Sequence, residues 1–94
     1  MSGGPEVGPV GLAVAANVER LRKVRGLSLR DLSARMADAG RPILPIGLSR
    51  MANGRRRVDA DDLAALAKVL EVDPAALLVP DLLIEIKIGA PLSS

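Results

Sequence analysis

Residues 47–58, GLSRMANGRRRV, join a short helix-like segment to a glycine and then to three consecutive arginines. Glycine commonly ends a helix because it adopts left-handed backbone conformations at little cost. Arg55, Arg56 and Arg57 therefore follow a helix end, an arrangement typical of contacts with a phosphate backbone. A solvated surface is the alternative interpretation of such a charge cluster.

The charged residues are distributed unevenly along the chain. The full sequence has 13 basic and 11 acidic residues, a formal net charge of +2. Residues 20–57 hold eleven of the basic residues and two of the acidic ones, a net charge of +9, whereas residues 1–19 carry −2 and residues 58–94 carry −5. Residues 20–57 therefore form a basic block, which predicts a polyanionic partner.

The composition excludes several classes of function. The 94 residues include no cysteine, no histidine and no aromatic residue, and 49% are hydrophobic, enough for the core of one small domain. The missing cysteine and histidine exclude disulfides, thiolate zinc sites, a cysteine nucleophile and a histidine base. The missing aromatic rings exclude the stacking platforms of single-strand binding proteins. We therefore predict a protein that is not an enzyme, has no cofactor, and binds duplex DNA if its partner is nucleic acid.

The chain divides into three predicted segments. Residues 1–11 are rich in glycine and proline, and we expect a disordered N-terminal arm there. Residues 12–79 are predicted to form the folded domain, and residues 80–94 a C-terminal strand or tail that is a possible dimerisation element. The sequence has no apolar run of about 18 residues and no basic segment followed by an apolar one. We therefore predict no membrane span, no signal peptide and a cytoplasmic location.

Hydrophobic periodicity and helix-ending residues predict five helices. In the first, Val14, Val18 and Leu21 recur at i, i+4 and i+7 and so lie on one face. Pro45 and Pro74 fit the first positions of the third and fifth helices, because a first-turn residue needs no N–H group. The predicted helices span residues 12–24, 29–39, 45–52, 59–70 with residue 59 as the N-cap, and 74–78.

Two capping boxes are predicted at helix starts. Ser28 precedes Asp31 by three residues, and Asp59 precedes Asp62 by the same spacing, so each pair can exchange side-chain and backbone hydrogen bonds. Together with Asp61, the second pair could suggest a cation site. Capping and the helix dipole account for these carboxylates, and we assign no metal.

Isoleucine and charged side chains alternate near the C-terminus, a period of two that predicts a β-strand. A lone strand leaves backbone N–H and C=O groups without partners. We predict that two copies pair antiparallel around Ile86, which places Glu85 opposite Lys87 of the other copy. Pairing with residues 7–10 of the same chain is the alternative. The predicted dimerisation residues are Ile84, Glu85, Ile86, Lys87 and Ile88.

Five short helices, with Gly26-Leu27-Ser28 opening the second and residues 48–56, LSRMANGRR, ending the third, resemble the lambda-repressor-like (Xre) helix-turn-helix family. The resemblance covers about residues 13–78. It implies an all-α, five-helix lambda-repressor-like helix-turn-helix domain, here with a short C-terminal β-strand. In that family the second and third helices bind DNA, and the third lies in the major groove. The resemblance thus implies that residues 12–79 form a DNA-binding domain with Pro45–Ala52 as its recognition helix.

The resemblance also implies roles for individual side chains. Arg50 matches a position that reaches base edges, where a guanidinium can bond to guanine O6 and N7 and contribute about 1–3 kcal/mol of discrimination. Ile46 either contacts a thymine methyl group or, if the helix starts later, belongs to the core. The predicted base-reading residues are Arg50, Ile46 and Pro45, and the predicted phosphate-binding residues are Ser28, Arg30, Arg41, Asn53, Arg55, Arg56 and Arg57.

Three departures from the family pattern affect the expected recognition of DNA. Leu29 stands where a polar residue, often glutamine, is usual, and residues 38–42 lengthen the turn before the recognition helix. Residues 44–47 are apolar or glycine where the family has hydrogen-bonding side chains. We therefore expect sequence preference to depend on DNA shape as well as on Arg50.

The sequence as a whole predicts a sequence-specific duplex DNA-binding transcriptional regulator that acts as a homodimer. The alternative is a protein-binding adaptor or antitoxin on the same fold, with residues 44–46 and the acidic C-terminal half as its interface. The two functions differ in their salt dependence, because phosphate binding weakens steeply with salt. An enzyme is the least supported function, since no serine, lysine or carboxylate groups pair at a persuasive spacing.

Overall fold

The computed structural model of the chain describes residues 7–80. These residues form four α-helices and one 3-10 helix: α1 Pro9–Val24, α2 Leu29–Asp38, α3 Pro45–Ala52, α4 Ala60–Leu70 and the 3-10 helix Pro74–Leu78. No β-strand occurs among them. The predicted all-α class is confirmed for this part of the chain.

The prediction of five α-helices is wrong, because the described residues form four α-helices and one 3-10 helix. The segment predicted as a fifth α-helix is a 3-10 helix, in which the Ala76 N–H bonds to the Asp73 carbonyl at 2.9 Å and the Val79 N–H bonds to the Ala76 carbonyl at 3.1 Å. Hydrogen bonds between residues three apart suit a five-residue segment, because α-helical bonds would leave most of its backbone groups unpaired. The predicted strand, residues 84–88, lies outside the described residues.

Helix α1 begins at Pro9, three residues before the predicted start and within the predicted N-terminal arm. Proline suits the first position of a helix because its fixed φ is already helical and its missing N–H is not needed there. The Gly8 carbonyl accepts a hydrogen bond from the Leu12 N–H at 2.9 Å, so the first turn forms within this glycine- and proline-rich segment. Helix α2 ends one residue earlier than predicted, and α3 has the predicted bounds.

Both predicted capping boxes are present. The Ser28 hydroxyl accepts a hydrogen bond from the Asp31 N–H at 3.0 Å, and the Asp31 carboxylate accepts one from the Ser28 N–H at 2.9 Å. The Asp59 carboxylate accepts from the Asp62 N–H at 2.7 Å, and the Asp62 carboxylate accepts from the Asp59 N–H at 3.1 Å. These bonds satisfy N–H groups that the first turn of a helix leaves without partners, and so fix where α2 and α4 begin.

The core is built from aliphatic and methionine side chains of all five elements. Helix α1 packs against α3, α4 and the 3-10 helix, and α2 packs against α3 and α4. Because the chain has no aromatic residue, leucine and the flexible methionine side chains fill the space between the helices. The buried core residues are Val14, Val18, Leu21, Leu27, Leu32, Met36, Ile43, Leu48, Met51, Leu66, Ala67, Leu70 and Leu77.

A buried amide ties the 3-10 helix to α1. The Asn17 Nδ2 group donates hydrogen bonds to the carbonyl oxygens of Leu77 at 2.9 Å and of Val79 at 2.7 Å. Asn17 is only 1% exposed and its bond to Leu77 is buried, so the Leu77 carbonyl would be strongly destabilised without this donor. The amide therefore links α1 to Leu77 and Val79, which follow Asn17 by 60 and 62 positions in the chain.

Candidate nucleic-acid interface

The connection between α2 and α3 is held by a hydrogen bond and by burial. Ser33 Oγ on α2 donates to the Ile43 carbonyl at 2.6 Å, and the Ile43 side chain is buried in the core. Gly40 turns the chain after α2 with a φ of +84°, a left-handed conformation that glycine adopts readily. Helix α3 is therefore held against α2, as the second helix of a helix-turn-helix unit must be.

One face of α3 and of its C-terminal turn is open to solvent. Ile46, Arg50 and Asn53 are exposed, and their spacing of i, i+4 and i+7 places them on one stripe. Leu48 and Met51 of the same helix are buried in the core. The structure therefore presents these two predicted base-reading residues and one predicted phosphate ligand on a common outward face.

The start of α3 exposes two large aliphatic side chains. Leu44 is 71% exposed and Ile46 is 60% exposed, while Pro45 is half-buried as the first residue of α3. The sequence left open whether Ile46 belongs to the core, and its exposure excludes that alternative. The beginning of the helix is thus an apolar surface that projects into solvent.

The turn after α3 requires glycine at residue 54. Gly54 has a φ of +72°, and a Cβ atom at this position would lie 2.9 Å from Cδ2 of Leu12. The Arg55 N–H donates to the Arg50 carbonyl at 2.7 Å, a hydrogen bond that closes the helix end. The first arginine of the run is thereby held beside α3, and its side chain is exposed.

A buried carboxylate binds two of the predicted phosphate ligands. Asp62 Oδ1 accepts a hydrogen bond from Arg41 Nε at 3.0 Å, and Asp62 Oδ2 accepts one from a terminal nitrogen of Arg56 at 3.0 Å. A terminal nitrogen of Arg41 also donates to Asp59 at 2.8 Å. The Asp62 side chain is 2% exposed, whereas those of Arg41 and Arg56 are 38% and 34% exposed. These four residues, the Asp62 cluster, join the segments before and after α3 to the start of α4.

The surroundings of Asp62 favour its ionised form. Burial alone would raise the pKa of Asp62, but hydrogen bonds from the Asp59 N–H and from the guanidinium groups of Arg41 and Arg56 outweigh burial and lower the pKa below its usual value. The positive charge of the guanidinium groups acts in the same direction. Asp62 is therefore a carboxylate at neutral pH and holds both arginines in ion pairs.

We expect the Asp62 cluster to make the domain sensitive to acid. Because the pKa of Asp62 is lower in the folded chain than in the unfolded chain, its contribution to stability is complete above the unfolded value of about 3.9 and is lost as the pH falls through the lowered value. The measurement is the thermal unfolding midpoint of the wild type and of Asp62→Asn from about pH 7 to about pH 2. The difference between the two proteins should shrink below about pH 4. A difference that stays constant over this range would contradict the ion pairing of Asp62.

The structure also shows which signal in the sequence pointed to these ion pairs. Asp62 precedes Leu66 and Leu70 by four and eight residues, so it lies on the core face of α4 and not on the solvent face. A carboxylate on a core face needs a cationic partner, because a buried unpaired charge is strongly unfavourable. The sequence interpretation assigned Asp62 to capping alone and Arg41 and Arg56 to phosphates.

Other arginines of the basic block also serve the fold. Arg22 bonds to the Glu19 carboxylate and donates to the Leu27 carbonyl at 2.7 Å, and its hydrogen bond lowers the pKa of Glu19. Arg25 Nε donates to the Leu70 carbonyl at 2.9 Å, near the C-terminal end of α4. Some arginines of the basic block therefore bind carboxylate or carbonyl groups of the domain itself.

The remaining predicted phosphate ligands lie at two exposed positions, the start of α2 and the segment after α3. Ser28 and Arg30 are exposed at the start of α2, and Asn53, Arg55 and Arg57 are exposed after α3. The Ser28 hydroxyl accepts the capping hydrogen bond and retains the capacity to donate another. All five residues are exposed to solvent, whereas Arg41 and Arg56 are partly covered and bound to Asp62.

Residues 7–80 can be checked for a membrane-spanning helix and for a metal-binding group of side chains. No helix within this range is long and apolar enough to cross a membrane. Nor does it hold a group of three or more acidic, cysteine or histidine side chains placed to bind a metal ion. The oxygens of Asp59 and Asp62 instead accept hydrogen bonds from backbone N–H groups and arginines.

Comparison with solved structures identifies similar folds. A crystal structure of the clp gene regulator ClgR from Corynebacterium glutamicum has a TM-score of 0.65 and 27% sequence identity, over 80% of this chain and 88% of the ClgR chain. A second ClgR structure has a TM-score of 0.67 and 24% identity, over 95% of this chain and 87% of that one. The chain is similar in fold to a gene regulator. No protein-family model and no curated protein matches the sequence.

Proposed function

We propose that the protein is a transcriptional regulator that binds duplex DNA sequence-specifically, with α2 and α3 as its helix-turn-helix unit and α3 in the major groove. The outward stripe formed by Ile46, Arg50 and Asn53 carries this proposal, because it offers a base-binding group beside a phosphate-binding end. The fold similarity to the clp gene regulator ClgR, at 27% identity, supports it. So does the resemblance to the Xre family, to which we assign the chain as part of the proposal.

Base recognition is assigned to the first two turns of α3. Arg50 donates two hydrogen bonds to guanine O6 and N7, the most common specific contact of arginine in the major groove. Ile46 and Pro45 contact thymine methyl groups, because an exposed aliphatic surface has no hydrogen bond to offer a base edge. The small number of polar groups on α3 leaves part of the sequence preference to DNA shape.

Phosphate binding is assigned to the exposed ends of the two helices. Arg30 and Ser28 at the start of α2, and Asn53, Arg55 and Arg57 after α3, contact the backbone and fix the position of α3 in the groove. Each neutralised phosphate should contribute about 0.9 to the slope of log affinity against log salt concentration.

We also propose that the protein binds DNA as a homodimer. A single α3 carries eight residues, and Arg50 is its one basic side chain, so one copy provides few base contacts. Two copies related by a two-fold axis would present two such helices to half-sites about 34 Å apart. The selected DNA sequences should accordingly be inverted repeats.

Selection of bound duplexes from a random pool, followed by binding isotherms at several salt concentrations, tests the proposed function. We expect an enriched inverted repeat and an affinity that falls steeply with salt. Arg55→Gln should reduce the log-log salt slope by about 0.9. Lys68→Gln is the matched control, since Lys68 is an exposed cation on α4, outside the basic block, and should leave the slope unchanged.

Two outcomes would contradict the proposal. Absence of measurable affinity for any duplex at low salt would exclude DNA binding. Binding to a protein partner with little salt dependence, lost on Ile46→Ser, would support the adaptor or antitoxin function instead, because the exposed aliphatic start of α3 would then be the interface.

A further inference from the structure

We propose that Asp62 determines DNA specificity by withholding Arg41 and Arg56 from the phosphate backbone, an inference that rests on the DNA-binding function proposed above. The residue touches no base and no phosphate in this scheme. It acts through the two arginines, and it is therefore a positioning residue whose effect appears in the balance between non-specific and specific binding.

Both arginines are placed at the edges of α3, where a phosphate contact would otherwise be expected. Arg41 lies in the connection that precedes α3, and Arg56 lies in the segment that follows it. The Arg56 side chain runs beside α3, because its Nε atom is 3.9 Å from the position that a Cβ on Gly47 would occupy. Two cations thus flank the helix that is assigned to the major groove, yet both are turned toward α4.

The ion pairs with Asp62 should persist when DNA binds. Asp62 is almost fully buried and its two carboxylate oxygens bind Arg41 at 3.0 Å and Arg56 at 3.0 Å. Removal of either partner would leave a buried charge incompletely paired, which is strongly unfavourable. Arg41 has a further bond to Asp59, and Arg56 has one to the Arg57 carbonyl at 3.1 Å. A phosphate in a wet, salt-screened interface offers no comparable compensation.

Withholding cations from the backbone raises specificity. Phosphate contacts supply nearly all of the non-specific affinity and favour every sequence equally, whereas base contacts favour only the correct site. Two additional phosphate contacts would therefore strengthen binding to random DNA without adding discrimination. The carboxylates of Asp59 and Asp62 balance the charges of Arg41 and Arg56, so the cluster has no net charge. Discrimination between DNA sequences then depends on the base contacts of α3.

Salt titrations of binding to a random-sequence duplex test this inference. We expect Asp62→Asn to steepen the log-log salt slope by about 0.9 for each arginine that reaches a phosphate. Affinity for the random duplex at low salt should rise several-fold, and the ratio of affinities for the selected and random duplexes should fall. Loss of stability alone would weaken binding and would not steepen the slope.

Variants of the two arginines in the wild-type background provide a test that does not depend on whether Asp62→Asn folds well. In the wild-type background Arg41→Gln and Arg56→Gln should leave the salt slope unchanged, whereas Arg55→Gln reduces it by about 0.9. In the Asp62→Asn background the same two substitutions should return the slope to the wild-type value. Circular dichroism and thermal melting check that each variant is folded.

The results separate this inference from the proposed function. If the wild type binds duplex DNA but Arg41→Gln and Arg56→Gln each lower its slope as Arg55→Gln does, the arginines contact phosphates and the inference is overturned alone. A folded Asp62→Asn variant with an unchanged slope would overturn it in the same way. A wild type that binds no duplex would overturn the proposed function, and this inference with it.

Discussion

Asn17→Asp is expected to prevent folding at neutral pH. The wild-type amide donates to the carbonyls of Leu77 and Val79, whereas a carboxylate has no hydrogen to donate and would face two oxygen atoms. Loss of the donor to the buried Leu77 carbonyl is unfavourable by about 1–3 kcal/mol, and burial of the new charge adds several kcal/mol. Such a sum approaches the whole stability of a small domain, roughly 5–15 kcal/mol.

The pH dependence of this variant has the opposite sign to that of Asp62. Burial beside carbonyl oxygens raises the pKa of the introduced carboxyl above its unfolded value of about 3.9. A group whose pKa is raised on folding stabilises the folded state most at low pH, and this contribution is lost as the pH rises through the folded value. The deficit relative to the wild type should therefore shrink as the pH falls and be smallest below about pH 4.

Urea unfolding of three variants measures the contribution of Asn17. Asn17→Ala removes the donor without adding a charge and should destabilise the domain by roughly 2 kcal/mol or more, less than Asn17→Asp does. Asn53→Asp makes the same chemical change at an exposed position and should shift stability by no more than about 1 kcal/mol. An Asn17→Asp protein as stable as the wild type at neutral pH would show that the amide does not hold the 3-10 helix.

The sequence was sufficient where short-range patterns decide the structure. The capping boxes at Ser28 and Asp59 each depend on four consecutive residues, and both are present in the structure. The bounds of α3 follow from Pro45 and Gly54, whose backbone preferences act at a single position. Local preference was misleading at residues 74–78, where Pro74 occupies the first turn and Asp73 accepts a hydrogen bond from the Ala75 N–H, yet the segment is a 3-10 helix because it is too short for α-helical bonding.

Contacts between distant residues could not be predicted from such patterns. The Asn17 amide meets carbonyl groups 60 and 62 positions away, and Arg41 meets Asp62 21 positions away, so both contacts depend on how the helices pack. The sequence therefore identified the basic block without distinguishing the arginines that we propose bind DNA from those that bind Asp62. It located α3 and Arg50, but the exposure of Ile46 was decided only by the packing of α3.

Arg50→Ala is expected to lower discrimination at one base pair of each half-site by about 1–3 kcal/mol, or roughly 5- to 150-fold. Arg50 is exposed on the outward stripe of α3, between Ile46 and Asn53, and in the proposed complex its guanidinium meets a base edge. Removing it should weaken binding to the preferred duplex far more than binding to a duplex with the guanine already replaced.

The comparison with Arg55 separates base recognition from phosphate binding. Arg55→Ala should weaken binding to all duplexes about equally and reduce the salt slope by about 0.9, while Arg50→Ala changes the slope less and the base preference more. Arg50→Lys should also lose discrimination, because an ammonium group lacks the planar pair of donors that matches guanine O6 and N7. Isotherms on duplexes that differ at one base pair measure both quantities. An Arg50→Ala variant that loses affinity equally for every sequence would place Arg50 on a phosphate, and the sequence preference would then have to come from Ile46, Pro45 and the shape of the DNA.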